Sequence, residues 1–474
     1  MNKINHEEIA SIYDLVWQLS PKYKDPLTYN TLTDLTDQLI AAYKENGRLD
    51  ENPFATTADR TLSLPQDEMK SLLDGQVCLV TGGLGCVGSN LVNKLLTFGA
   101  KRIVIIDKTK ISENPFSDES VTIINCDIVD RDHLIECFKQ HQPGLVFHTA
   151  AQRNPGYAED HAFETINDNV IGTLNVVQAC ELSGSVKHCV FSSTGKASRY
   201  FTSEVYAASK KICEFIFDHY AKRSEILYSM VRFTHILDNS LMHTELKNNE
   251  EVDHVAIHSP GKYVTAQNVN EAVHLMLNAV ICAKPKKSAF LIVRNLEWPV
   301  ESLEVALYYI QKRGKTIPVI FRGNPPGYKE KFFRGQLDWS QPHDLNLLIN
   351  VYENNERSIS GTEDIITSSI LPIADDILTA DLAKLSSLQN NADAKAWLTS
   401  TLYRCVASSL EKADETDTLK ILKWGLDENY LSHEQCEVES FKEIIQILTD
   451  SIQTVTLKEE AQNLKANFEH AHIY

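Results

Sequence analysis

Tyr206 and Lys210 lie four residues apart in Tyr206-Ala207-Ala208-Ser209-Lys210, at the start of a stretch whose apolar spacing predicts an amphipathic helix. On a helix they share one face, one turn apart. The ammonium there lowers the phenol pKa and holds a ribose, so the phenolate takes a proton from a substrate hydroxyl as its carbon gives up hydride. Upstream, the apolar run 188–191 leads into Ser192-Ser193-Thr194, hydroxyls suited to orienting a substrate oxygen. A second constellation follows the apolar run 77–80: Thr81-Gly82-Gly83-Leu84-Gly85-Cys86-Val87-Gly88, with a helical pattern after it. Gly82, Gly85 and Gly88 permit a tight turn and close approach to a pyrophosphate. Cys86 and Val87 open the helix whose N-terminus receives it. The next strand ends in Asp107, placed to accept hydrogen bonds from an adenine ribose diol. Asp107 favours NAD, whereas Lys108 and Lys110 leave NADP open. Each motif is common on its own; their order along one chain carries the reading.

These residues need a scaffold, and the pattern from residue 76 onward supplies one. Short apolar runs at 77–80, 102–106, 121–125, 145–147, 188–191 and 227–231 alternate with helical patterns at 90–98, 131–140 and 163–182. Continuous apolar strands alternating with helices predict a parallel sheet covered on both faces. The expected fold class is therefore α/β: a Rossmann-type doubly wound sheet with a smaller substrate-binding domain and helical N- and C-terminal extensions. Residues 1–74 read as the helical N-terminal extension. The enzyme core is expected at 75–345, with the dinucleotide-binding part at 75–232 and the substrate-binding part mainly at 233–345. Residues 367–474 read as a helical C-terminal extension, and the polar stretch 353–364 as a linker.

Bulk properties narrow the class. The chain has 474 residues and a formal net charge of −18, which argues against nucleic acid or an anionic membrane as principal partner. Ten cysteines are scattered without a C-x-x-C pair, as in a reduced cytosolic protein. No apolar run is long enough to span a bilayer, and residues 1–10 do not resemble a signal peptide. The expected location is cytoplasmic. His254 and His258 have helical metal-ligand spacing but fall in a segment patterned as loop or strand, so no metal site is expected.

Together these blocks resemble the extended short-chain dehydrogenase/reductase family, and more narrowly its polysaccharide-biosynthesis branch with the inverting UDP-N-acetylglucosamine 4,6-dehydratases. The resemblance covers about 75–345. It implies that Asp127 and Ile128 flank the adenine, that Thr149, Ala150 and Ala151 form the turn beside the nicotinamide, and that Asn169 belongs to the cofactor site with Lys210. It aligns Ser193-Thr194-Gly195-Lys196-Ala197 with the family's S-T-D-K-A, implying a catalytic role for Lys196 beside Thr194 and Tyr206. Arg153, Asn154, Arg232, His235 and Lys329 are the implied substrate contacts.

This chain departs from the pattern at the substrate end. Gly195 replaces the family's acidic Asp, Arg153-Asn154-Pro155-Gly156 its K-H-V-P, Thr234-His235-Ile236 its G-N-V, and Pro325 an arginine. Glu204 is a candidate replacement acid from nearness in sequence. The resemblance implies a nucleotide-sugar substrate and a 4,6-dehydratase or epimerase working through a transient keto-sugar. A dehydrogenase or reductase of another small molecule, and a cofactor-bound interaction protein, are the alternatives. Relatives commonly dimerise through the Tyr helix, and Ile212, Phe215 and Ile216 would supply apolar surface for a homodimer.

Overall fold

The computed structural model describes residues 6–239, 252–328, 332–433 and 441–471. The chain divides into two compact units, one made of residues 62–233, 273–294 and 326–474, the other of 1–61, 234–272 and 295–325. This division runs through the chain differently from the sequence-based domains, because residues 1–61 share a unit with later segments.

The larger unit is built on a nine-stranded sheet. Its strands are β1 (Val77–Thr81), β2 (Arg102–Asp107), β3 (Val121–Asn125), β4 (Leu145–His148), β5 (His188–Thr194) and β6 (Leu227–Phe233), followed by Ala289–Val293, Ser358–Ile359 and Ile365–Ser368. From the far edge the order is Ser358–Ile359, Ile365–Ser368, Ala289–Val293, β6, β5, β4, β1, β2, β3. All pairs from Ala289–Val293 to β3 are parallel, and the last two strands add antiparallel. The order reverses between β1 and β4, which makes a crevice beyond their C-terminal ends. Every residue of β4 and β5 is buried, as continuous apolar runs covered on both faces require.

Three expectations need correction. The polar stretch 353–364 is not a linker: Glu353 is buried in the helix Val351–Asn355, and Ser358–Ile359 joins the sheet. Residues 365–368 form a strand before the C-terminal helices begin. The expected helix 163–182 is divided by a π-helical turn at Asn167–Ile171, between Ala162–Ile166 and Gly172–Ser183.

The C-terminal helices belong to this larger unit. Asn391–Leu410 packs on the helix Val205–Ala221 and on Ala162–Ile166. Lys395 pairs with Glu159 at 3.3 Å, Asn391 bonds the backbone at both Phe163 and Asp160, and Phe201 meets Tyr403 edge-on. Asp375, from the next helix upstream, pairs with His219 and Arg223. Ile212, Phe215 and Ile216 are buried within this one chain. These three side chains are packed inside the chain itself.

The smaller unit has its own core. Ile12, Val16, Leu32, Leu39 and Tyr43 from the helices His6–Leu19 and Pro26–Glu45 pack with Val255, Leu303, Leu307, Ile310, Val319 and Phe321. Asp25 caps the second of these helices at Thr28 N, and Pro26 follows at its first position, a start signal in which the missing proline N–H has no role to lose. The N-terminal helices thus complete a hydrophobic core that 252–321 would otherwise leave open.

Candidate active site

At the end of β1, Gly82 has φ +71°, and a Cβ there would lie 2.6 Å from Ala150 N. A Cβ on Gly88 would lie 2.2 Å from Gly82 O. Any side chain at either position would force apart the loop, the helix Cys86–Thr97 and the turn after β4. That helix starts at Gly85 without a side-chain cap and without an acidic residue in its first turn. A helix N-terminus that follows a glycine turn and carries no acidic side chain is suited to a phosphate. Asp107 receives N–H bonds from Leu84 at 3.1 Å and Thr109 at 3.0 Å, one on each oxygen. Both oxygens keep lone pairs for a diol. Lys108 is held at 2.7 Å by Asp168. These residues fit the pyrophosphate and ribose of a dinucleotide.

The turn after β4 is tied back to β1. Thr149 Oγ1 donates to Thr81 O at 2.7 Å, and Ala150 N donates to Thr81 Oγ1 at 3.4 Å. His148 bridges Thr81 and Thr173, and burial holds its pKa down at about 3, so it stays neutral. Asn169 requires a correction. It is buried, accepts from Gln152 N at 2.8 Å and donates to Gln152 O and Ser209 Oγ. Its amide is spent joining the 150–153 turn to the Tyr206 helix, so it positions the site from behind. Asp127 turns its carboxylate onto Val129 N, and Ile128 is buried against Gly172.

Tyr206 sits in the first turn of Val205–Ala221, and Glu159 Oε1 accepts from Val205 N at 2.7 Å. Glu159 thus supplies the negative end that this helix N-terminus needs. The Tyr206 hydroxyl bonds Thr194, at the end of β5. Burial pushes the phenol pKa up to about 12, opposed by the Thr194 bond and the charge of Arg153. Lys210 Nζ donates to Ser192 O at 2.8 Å and lies 4.4 Å from the centre of the Phe191 ring. Burial lowers its pKa to about 8, partly offset by Cys213 and Glu214. Thr194, Tyr206 and Lys210 are therefore brought together at the C-terminal end of β5, two strands from the glycine loop.

Lys196 lies in the 3-10 turn that follows. Its Nζ is 2.8 Å from Glu204 Oε2 and 3.0 Å from Gly327 O, over the Tyr328 ring. Arg199 reaches the same Glu204 oxygen at 2.9 Å, while Glu204 Oε1 is buried without a hydrogen-bond partner. A Cβ on Gly195 would lie 2.1 Å from Leu348 Cδ2. Leucine fills the space a side chain at 195 would need.

The remaining substrate expectations divide. Arg232 does not line a site: it is fully buried, and all its donors are engaged by Glu214, Glu353 and Leu348 O. Arg153 is exposed, with no hydrogen bond or ion pair among the described residues, and close enough for Tyr206 to feel its charge. Asn154 caps the helix Pro155–Asp160 through Tyr157 N. His235 is exposed on a two-residue strand of the smaller unit, paired with Ala266–Gln267. Lys329 lies outside the described residues. Contrary to helical spacing, His254 and His258 flank the strand Val255–Ile257, and His254 pairs with Asp253. Glu159, Gln152 and Leu348 had no signal in the sequence, because each acts through a partner far along the chain.

The profile of the polysaccharide biosynthesis protein family matches residues 78–331, more than half of the chain. The chain belongs to that family. Among relatives of this chain is the probable polysaccharide biosynthesis protein EpsC of Bacillus subtilis, 26% identical over 298 residues, 60% of this chain and 48% of that one. The UDP-N-acetylglucosamine 4,6-dehydratase (inverting) of Campylobacter jejuni is 27% identical over 176 residues, 35% of this chain and 51% of that one. The chain thus spans about half the length of these curated relatives. The X-ray structure of Pen from Bacillus thuringiensis superposes with a TM-score of 0.54 at 20% identity, covering 64% of this chain and 89% of that one. That likeness supports the Rossmann-type fold. Among the described residues, no helix is long and apolar enough to cross a membrane.

Proposed function

We propose that this protein is an NAD-dependent enzyme that modifies a nucleotide-activated sugar through a transient ketone, as a dehydratase or epimerase. The observation that carries the reading is the Thr194–Tyr206–Lys210 group at the end of β5, beside a glycine cradle fitted to a pyrophosphate. Residues 82, 85–88, 107, 127–128, 149–151 and 210 would hold the dinucleotide, which when bound supplies reversible hydride exchange. NAD is favoured over NADP because Asp107 faces the diol position and Lys108 is committed to Asp168. Tyr206 takes the proton from the sugar hydroxyl and later returns it, with Thr194 orienting that oxygen. A proton passed from Lys196 to Glu204 within their 2.8 Å pair leaves a neutral amine to remove the proton next to the ketone and a carboxylic acid to donate to a departing hydroxyl, so the pair ends as it began, with no acid needed at 195. Exposed Arg153 suits the diphosphate of the substrate.

The likeness to the dehydratase of Campylobacter jejuni supports this reading. A cytoplasmic location agrees with the nine described cysteines, all free. A homodimer is the expected assembly, which light scattering checks directly. The Leu348 contact at Gly195 favours one second reading, net dehydrogenation, in which no hydroxyl is expelled.

The full chain incubated in D2O with NAD and a panel of UDP- and GDP-sugars tests the proposal. Deuterium at the carbon next to the ketone, with loss of water or an epimer and no net NADH, is the expected result. Stoichiometric NADH supports the second reading, and neither product nor exchange with any sugar overturns both.

A further inference from the structure

Away from the Tyr206 group, two thiols and an imidazole converge at the end of β3. Cys126 follows that strand, and its N–H donates to Asp107 O at 3.1 Å. His133 and Cys137 lie on the helix Arg131–His141, four residues apart and hence on one face. One donor atom from each, two sulfurs and one ring nitrogen, lies within 4.8 Å of both others. Among the described residues this is the one such group of histidine, cysteine and carboxylate side chains.

Convergence alone would mean little on a flexible loop, but this turn is held at several points. Asp130 caps the helix at His133 N, at 3.2 Å. Asp127 closes on Val129 N, and Asn175 Nδ2 donates to both Ile128 O and Val129 O. The donors therefore sit on a strand end and a helix whose separation is fixed, as a preformed site needs. Cys126 and Cys137 are buried and His133 is exposed. Two sulfurs are thus presented from the protein side and one nitrogen from the solvent side, where water can supply a fourth ligand.

We propose that Cys126, His133 and Cys137 bind one thiophilic transition-metal ion of the zinc class. Two thiolates and an imidazole select zinc over magnesium or calcium, which take oxygen ligands. The sulfurs give up their protons to solvent as the metal–sulfur bonds form, including the proton that Cys126 now donates to Asp127 O. The site is independent of the reaction proposed above. It lies on the turn that carries Asp127 and Ile128.

Cobalt titration of the fully reduced full-length protein tests this without reference to activity. One equivalent of Co2+ should give the visible bands of a tetrahedral site and thiolate charge-transfer absorption, both displaced by Zn2+ and unaffected by Mg2+. C137S should abolish the charge-transfer signal. H133A changes an exposed side chain and leaves the fold intact, so it guards against a trivial unfolding result. It should weaken Zn2+ binding by at least the ~10- to 100-fold that losing a supporting partner brings. Absence of a cobalt spectrum in the reduced protein overturns the proposal. So does binding unchanged in H133A, or a Cys126–Cys137 disulfide as the only chemistry the pair shows.

Discussion

The ends of β1 and β5 lie in one crevice, yet they are built on opposite terms. At β1 the backbone is crowded so that nothing protrudes: Gly82 and Gly88 have no room for a Cβ, and the helix behind them is left uncapped. At β5 the side chains are crowded and already paired: Lys196 with Glu204, Ser193 with Glu214, and Leu348 pressed against Gly195. A cradle that reads a shape common to all dinucleotides can be specified locally. A pocket that selects one reaction depends on partners from across the chain.

The sharpest break of that contrast is Tyr206→Phe. Turnover should fall about 10²- to 10⁴-fold, the share that a general acid–base contributes, with dinucleotide affinity by calorimetry unchanged. If both fall together, the two ends are not separable. Arg232→Met should lower stability by about 3–5 kcal/mol, because Glu214 and Glu353 would be left buried without their cation; urea denaturation measures it. Gly88→Ala should cost about 1–3 kcal/mol through overpacking and remove dinucleotide binding, which places the β1 end under backbone control.

Gly195→Asp should destabilise by a similar amount, but Leu348→Ala in the same chain should recover part of it. A coupling of about 0.5–3 kcal/mol in that double-mutant cycle would show that the leucine and the lost acid compete for one space. A further effect concerns pH. Native Lys210 titrates near 8 because of burial, whereas an unfolded lysine does so near 10.4. Between those values the unfolded chain binds more protons, so stability rises with pH there. Below about 8 the buried ammonium is destabilising throughout. Lys210→Met should remove this rise between pH 8 and 10, seen as a flatter dependence of Tm. Lys211, also held near 8, contributes equally to both proteins and cancels.

Legibility followed the range of the interactions involved. The six central strands were readable because each is a continuous apolar run, and Tyr206 and Lys210 because one helical turn fixes their relation. The π-helical turn at Asn167–Ile171 was not, since it accompanies side-chain bonds from Asn169 to Gln152 and Ser209. Glu353 looked like solvent-facing linker because its partner, Arg232, lies far upstream. Arg232 in turn looked like a substrate contact because a motif records residue type and says nothing of burial. The N-terminal helices announced themselves as helices, but the core they complete uses residues 252–321. Polar residues satisfied over long distances are the ones that pattern cannot place.

The helix Asn391–Leu410 lies along the Tyr206 helix as part of the same polypeptide. A flank supplied by a second molecule would come and go with dilution, whereas a tethered one stays at a high local concentration however little protein is made. Support for Tyr206 is thereby insulated from expression level. Loosening that tether would make a property of one molecule depend on how many are present.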